Sequence, residues 1–104
     1  MNPEQLNPEE QALLDYLLET ENRVLVALTE DTHPDSQSFL ESVREFQKSQ
    51  TSLDLIEGRF STYQRLARTQ DAFGFPCLMI FRSGELEHLI LGAAISDELN
   101  ALSL

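Results

Sequence analysis

The chain has 104 residues, with 18 Asp and Glu against seven Lys and Arg, a formal charge of −11 with both histidines neutral. A length of this order supports one hydrophobic core rather than two, and 41% hydrophobic residues, six Phe and two Tyr among them, are too many for a disordered acidic tail. A surface of this sign repels nucleic acid and anionic lipid, and no apolar run reaches the roughly 18 residues of a membrane span. Residues 1–104 are therefore read as one folded domain with no nucleic-acid partner and no membrane insertion.

Residues 1–10 lack a basic stretch followed by an apolar one, so a cytoplasmic location is expected. Asn7-Pro8-Glu9-Glu10 is a helix start: an Asx cap, a proline at the first position and acids against the positive helix end. Leu13, Leu14, Leu17 and Leu18 form one apolar stripe, and the helix is expected from Pro8 to Thr20. Val24-Leu25-Val26-Ala27-Leu28 is a continuous apolar run, as in a strand covered on both faces. Pro34 is expected to open a second helix that buries Phe39, Leu40, Val43 and Phe46 and ends near Gln50. Leu53 to Glu57 reads as a second strand stopped by Gly58, and Ser61 as the cap of a third helix carrying Tyr63, Leu66 and Ala67.

Cys77 to Phe81 and Leu86 to Leu91 read as antiparallel strands joined by Arg82-Ser83-Gly84-Glu85. Ser96, with Asp97 and Glu98 behind it, is expected to start a last helix whose Leu99 and Leu102 face inward. Short βαβ links impose parallel pairing and the hairpin adds an antiparallel pair. The expected architecture is α/β, a mixed four-stranded sheet with helices on both faces and one helix ahead of the first strand.

The charge is uneven. Residues 1–57 hold thirteen acids and three bases, and residues 58–104 hold five acids and four bases. The acids of the first half are either the solvated faces of two helices or a docking face for a basic partner.

Gly74-Phe75-Pro76-Cys77-Leu78-Met79-Ile80-Phe81-Arg82-Ser83-Gly84-Glu85-Leu86 resembles the stretch of thioredoxins that holds a proline before a buried strand and a Gly-containing hairpin. Gly92, Ala93 and Ser96 resemble that family's start of the last helix, and Val24-Leu25-Val26 resembles the strand leading into its active site. The resemblance covers roughly residues 23–103 and implies a thioredoxin-like fold with a cis peptide bond before Pro76. It also implies that the backbone of Phe75 pairs with a bound peptide. A proline that merely opens a strand is the alternative. In the same alignment the family's Cys-Gly-Pro-Cys falls on His33-Pro34-Asp35-Ser36, its buried Asp on Ala27 and its two Trp on Thr29 and Thr32.

Disulfide exchange needs an attacking thiolate and a second thiol to resolve the mixed disulfide, and Cys77 is the only cysteine. The expected function is thus a non-catalytic thioredoxin-like adaptor or chaperone. It would bind a basic peptide or protein through Phe75, Pro76, His33, Glu30, Asp31, Asp35 and Ser36, without cofactor or metal. Accessory proteins of hydrogenase maturation, which act on twin-arginine signal peptides, and the N-terminal part of alkyl hydroperoxide reductase flavoproteins are cysteine-poor proteins of similar type. The alternative is a single-cysteine thiol enzyme or sensor at Cys77, activated by a nearby His33 and helix N-terminus. A homodimer is a third possibility.

Overall fold

The computed structural model describes residues 5–50, 52–92 and 95–102. Eight elements follow in chain order: α1 (Pro8–Glu19), β1 (Arg23–Thr29), α2 (Ser36–Ser49), β2 (Leu53–Arg59), α3 (Gln64–Thr69), β3 (Cys77–Arg82), β4 (Glu85–Leu91) and α4 (Ile95–Asn100). The strands form one sheet in the order β2-β1-β3-β4. The pair β1 and β2 is parallel, and the other two pairs are antiparallel. The expected mixed four-stranded sheet with an N-terminal helix is the architecture observed.

Strand β1 lies inside the sheet with a neighbour on each side and a core on each face, which is why its sequence runs apolar without alternation. Val24, Val26 and Leu28 face a cluster with Leu13 and Leu17 of α1, Leu66 and Ala67 of α3, and Cys77, Met79 and Phe81 of β3. Leu25 and Ala27 face the other cluster, with Phe39, Val43 and Phe46 of α2, Leu78 and Ile80 of β3, and Leu99 of α4. Each fully buried Leu or Phe of these layers contributes about 1.5–3 kcal/mol relative to exposure.

The start of α1 is the capping box its sequence spells: the Asn7 side chain accepts from the Glu10 N–H at 2.7 Å, and Glu10 Oε1 accepts from the Asn7 N–H at 3.1 Å. Only part of the four-leucine stripe is buried. Leu13 and Leu17 are inside, whereas Leu18 is 61% exposed because the sheet lies on one side of the helix and Leu18 leans over the β3–β4 turn. A Cβ on Gly84 would stand 2.4 Å from Leu18 Cδ2. That turn is the two-residue loop Ser83-Gly84, both at positive φ (52° and 82°), the type I′ geometry that matches strand twist.

Several boundaries differ from the sequence expectation. Helix α2 starts at Ser36 rather than Pro34, because residues 30–36 form turns in which the His33 N–H donates to Glu30 O and the Ser36 N–H to His33 O. Gly58 does not stop β2; it pairs with Leu28 and the strand continues to Arg59. The glycine serves close packing instead, since a Cβ there would meet the Tyr63 ring at 2.6 Å. Helix α3 begins at Gln64 with Tyr63 in the cap position, not after Ser61, because residues 59–63 form turns in which the Thr62 N–H donates to Arg59 O and the Tyr63 N–H to Phe60 O; the Ser61 N–H itself donates to Glu30 Oε1 at 2.5 Å. Helix α4 begins at Ile95, which places Ser96 in its first turn; Ala93, matched to the family pattern, lies outside the described residues.

Candidate functional site

The carboxyl ends of the parallel strands β1 and β2 reach the same end of the sheet as the start of β3. In open α/β sheets that end is where ligands collect. The β1–α2 loop brings His33 there, and the α3–β3 loop brings Phe75 and Pro76. The Phe75–Pro76 peptide bond is cis. The rings of His33 and Phe75 meet edge to face, with centroids 5.6 Å apart and planes at 81°. Phe75 leans in turn on Phe60, 5.3 Å away at 48°.

Phe60 is held beneath this pair, 6% exposed, by its N–H donating to Thr29 O at 2.9 Å. Phe75 remains 39% exposed and Phe73, two residues before it, 69%. Pro76 is buried, and its carbonyl accepts from the Gly92 N–H at 2.9 Å, which ties the loop to the end of β4. Among the described residues neither the N–H nor the C=O of Phe75 has a hydrogen-bond partner.

The polar residues of the β1–α2 loop have distinct places. His33 Nδ1 accepts from the Asp35 N–H at 3.2 Å, which leaves Nε2 as the protonated nitrogen of the neutral ring. Ser36 is buried and its hydroxyl donates to Glu30 O at 2.8 Å, so it closes the loop and is not aligned on His33 as a nucleophile. The Glu30 carboxylate receives the Ser61 N–H, and Asp31 forms an ion pair with Arg59. Asp35 alone of the three acids has a carboxylate without a partner among the described residues.

Beside the loop, an open cleft of about 460 Å³ is lined by Asp31, His33, Ser36, Gln37, Leu40 and Arg44. Among the described residues, no three His, Cys, Asp or Glu side chains converge as metal ligands.

Cys77 opens β3 directly after the cis peptide bond, but its side chain points into the α1/α3 core. It is 0% exposed, and burial pushes its thiol up to about 12. A thiolate is the reactive form, and desolvation disfavours it here.

The sequence-derived site residues Glu30, Asp31, His33, Asp35, Phe75 and Pro76 thus gather at one end of the sheet. Three further residues belong with them: Phe60, Arg59 and Phe73. Arg59 and Phe60 had one legible signal, their place at the carboxyl end of a strand parallel to the one that feeds the site.

No protein-family model matches the chain, and no curated protein matches it. Solved structures do. A mutant thioredoxin from Halobacterium salinarum superposes with a TM-score of 0.68 at 22% identity, over 88% of this chain and 82% of that one. Thioredoxin f2 from Chlamydomonas reinhardtii gives 0.73 at 15% identity, over 88% and 86%. Mitochondrial thioredoxin 3 from Saccharomyces cerevisiae gives 0.71 at 9%, over 88% and 89%.

The fold is the thioredoxin fold. At these identities the likeness concerns the course of the backbone. Within the thioredoxin fold of this chain, His33-Pro34-Asp35-Ser36 occupies the loop and first residue of α2, facing the cis-proline loop through the contact of His33 with Phe75. No helix among the described residues is long and apolar enough to cross a membrane.

Proposed function

We propose that the chain is a non-catalytic binding module, an adaptor or chaperone that takes an extended basic segment of a peptide or protein along the backbone of Phe75 and Pro76. The observation that carries this reading is Phe75 itself: its N–H and C=O have no partner among the described residues, while its ring is set on Phe60 and His33 and stays 39% exposed. A segment laid against it gains main-chain hydrogen bonds as an added strand and an apolar contact with the ring. Exposed Phe73, two residues earlier, adds apolar surface to the same loop, and Asp35 and Glu30, neither paired with a base among the described residues, supply negative charge in the β1–α2 loop.

Charge of this kind speeds encounter and selects partners more than it deepens affinity. With seven bases against 18 acids in the whole chain, the client is cationic; a twin-arginine segment of the sort handled by hydrogenase-maturation accessory proteins has the right chemistry. A lone, desolvated Cys77 supports recognition over thiol exchange, which needs an accessible thiolate and a resolving thiol.

Calorimetric titration with a panel of peptides graded from acidic to basic, each with and without an apolar residue, tests the proposal. Basic apolar peptides bind, and binding weakens as salt is added. Phe75→Asp abolishes it, Asp35→Lys weakens it, and Cys77→Ser retains it. Equal affinity for acidic and basic peptides, or binding unaltered by both Phe75→Asp and Asp35→Lys, rules it out.

A further inference from the structure

The two edges of the sheet are unlike. β4 is blunted, with a register shift against β3 at Ile80/Phe81 and Glu85, Glu87 and His88 exposed along it. Such irregularity and charge are how native edges avoid pairing with another chain. β2 has neither protection. It pairs with β1 over seven consecutive residues without a bulge, contains no proline or lysine, and leaves Leu53, Leu55 and Ile56 only partly buried. Among the described residues it has a strand neighbour on one side alone. The Leu53 carbonyl is already taken by Gln47 Nε2 and the Arg59 carbonyl by the Thr62 and Tyr63 N–H groups, so the outward N–H and C=O groups of Leu55 and Glu57 are the template left for a further strand.

The charges on β2 bear on what fits there. Asp54 accepts the Tyr16 hydroxyl at 2.6 Å. Glu57 is gripped by two nitrogens of Arg44 at 2.6 and 2.8 Å, and Arg59 pairs with Asp31. Of the β2 carboxylates only Asp54, whose donors are neutral, keeps a charge that no base offsets among the described residues, which leaves this edge little with which to select a basic segment.

We propose that β2 pairs antiparallel with β2 of a second copy of this chain, about a two-fold axis at Ile56. In an antiparallel pair, residues directly opposite share a face, and a two-fold axis makes the interface self-complementary. Ile56 is the middle residue of Leu53–Arg59, so an axis there sets Leu55 opposite Glu57 on both sides of it and pairs the backbone groups still open along the strand. Ser52, at a φ of 62°, ends the extended run on one side, and buried Phe60 ends it on the other.

In this register Ile56 faces its own copy, Asp54 faces Gly58, Leu55 faces Glu57 and Leu53 faces Arg59. No like charges stand directly opposite, the arrangement that destabilises cross-strand pairs. Glu57 lies diagonal to its copy, each neutralised by its own Arg44. Ile56, which packs on the α1/α3 core only from one side, gains cover on the other. Because each copy carries −11, added salt screens the repulsion and tightens the dimer, opposite to the salt dependence of a basic client.

The test is sedimentation equilibrium of the full chain from low micromolar to millimolar concentration, at low and high salt. The expected result is a weight-average mass rising from one chain to two and no further, at lower concentration when salt is added. Ile56→Cys, at the axis, gives a disulfide-linked dimer under mild oxidant, while Leu53→Cys, which faces Arg59, does not; buried Cys77 contributes to neither. Hydrogen exchange at residues 53–59 slows with concentration. A mass of one chain throughout, assembly beyond two, equal cross-linking of both variants, or residues 53–59 protected equally at all concentrations each overturns the proposal. The cross-linking reads out in folded protein whether or not a charged variant such as Ile56→Glu folds.

Discussion

The imidazole of His33 stands edge-on to the ring of Phe75, centroids 5.6 Å apart, and this one contact joins the β1–α2 loop to the loop that carries the cis peptide bond. Aromatic pairs of this kind contribute about 0.5–1.5 kcal/mol beyond the area they bury. His33→Ala therefore lowers the unfolding free energy by about 1 kcal/mol, and Phe75→Ala, which also loses the contact with Phe60, by somewhat more. Urea unfolding followed by circular dichroism measures both. In the Phe75→Ala background, His33→Ala has little further effect, since the partner is already gone.

Glu10 is the buried acid among the described residues, 1% exposed. Besides closing the α1 cap, its Oε2 accepts from the Leu66 N–H at 2.6 Å, so one carboxylate joins the starts of α1 and α3. Asn7 adds a second tie, its side-chain amide donating to Thr62 O at 2.8 Å. Glu10→Ala strands the buried Leu66 N–H and loses charge-assisted bonds, at a cost of about 2–3 kcal/mol. Glu10→Gln keeps the shape and one acceptor and costs less. Urea midpoints rank the two, and accelerated exchange of the Leu66 amide locates the damage.

Glu57 is held below its ordinary value of 4.5 by the hydrogen bonds from Arg44, with the Arg44 charge adding to them. A carboxyl whose folded pKa is depressed stabilises the fold above its unfolded pKa and loses that contribution as the pH falls through the folded one. In Glu57→Gln the urea midpoint falls less steeply below about pH 4.5 than in the parent chain. The difference is modest because the pair is partly exposed and solvent screens it. An unchanged slope shows that Arg44 gives Glu57 no pH-dependent stabilisation.

Two groups make stability fall at alkaline pH. Burial raises the Cys77 thiol from 9.0 to about 12, and Tyr16 is raised above 10.0, first by its hydrogen bond to Asp54. For a raised pKa the stabilising contribution is complete below the unfolded value and is lost as the pH climbs to the folded one. Cys77→Ala removes the part of this loss that begins near pH 9, and Tyr16→Phe removes a smaller part beginning higher. Native Cys77 reacts with iodoacetamide only as fast as the chain unfolds; labelling at the rate of a free thiol at neutral pH contradicts the buried placement.

The amino-acid sequence determined much of the architecture because its signals are local. The Asn7-Pro8-Glu9-Glu10 cap, the unbroken apolar run of β1 and the Ser83-Gly84 turn act over a few residues, where propensity and capping decide. The motif around Pro76 likewise indicated the loop with the cis peptide bond, which faces His33. Longer-range relations were decided only by the tertiary structure. Gly58 reads as a strand stop until the Tyr63 ring is seen filling its missing side chain. Ser61 reads as a local helix cap, and only the fold shows its N–H bound to Glu30, 31 residues away. The acidity also has a different meaning in three dimensions. Asp31 and Glu57 are neutralised by arginines elsewhere in the chain and the Glu30 carboxylate is tied to a backbone amide, so in the site loop Asp35 is the acid whose carboxylate has no partner among the described residues. Charge along a sequence is a count, whereas charge at a surface depends on which partners folding places within hydrogen-bond reach.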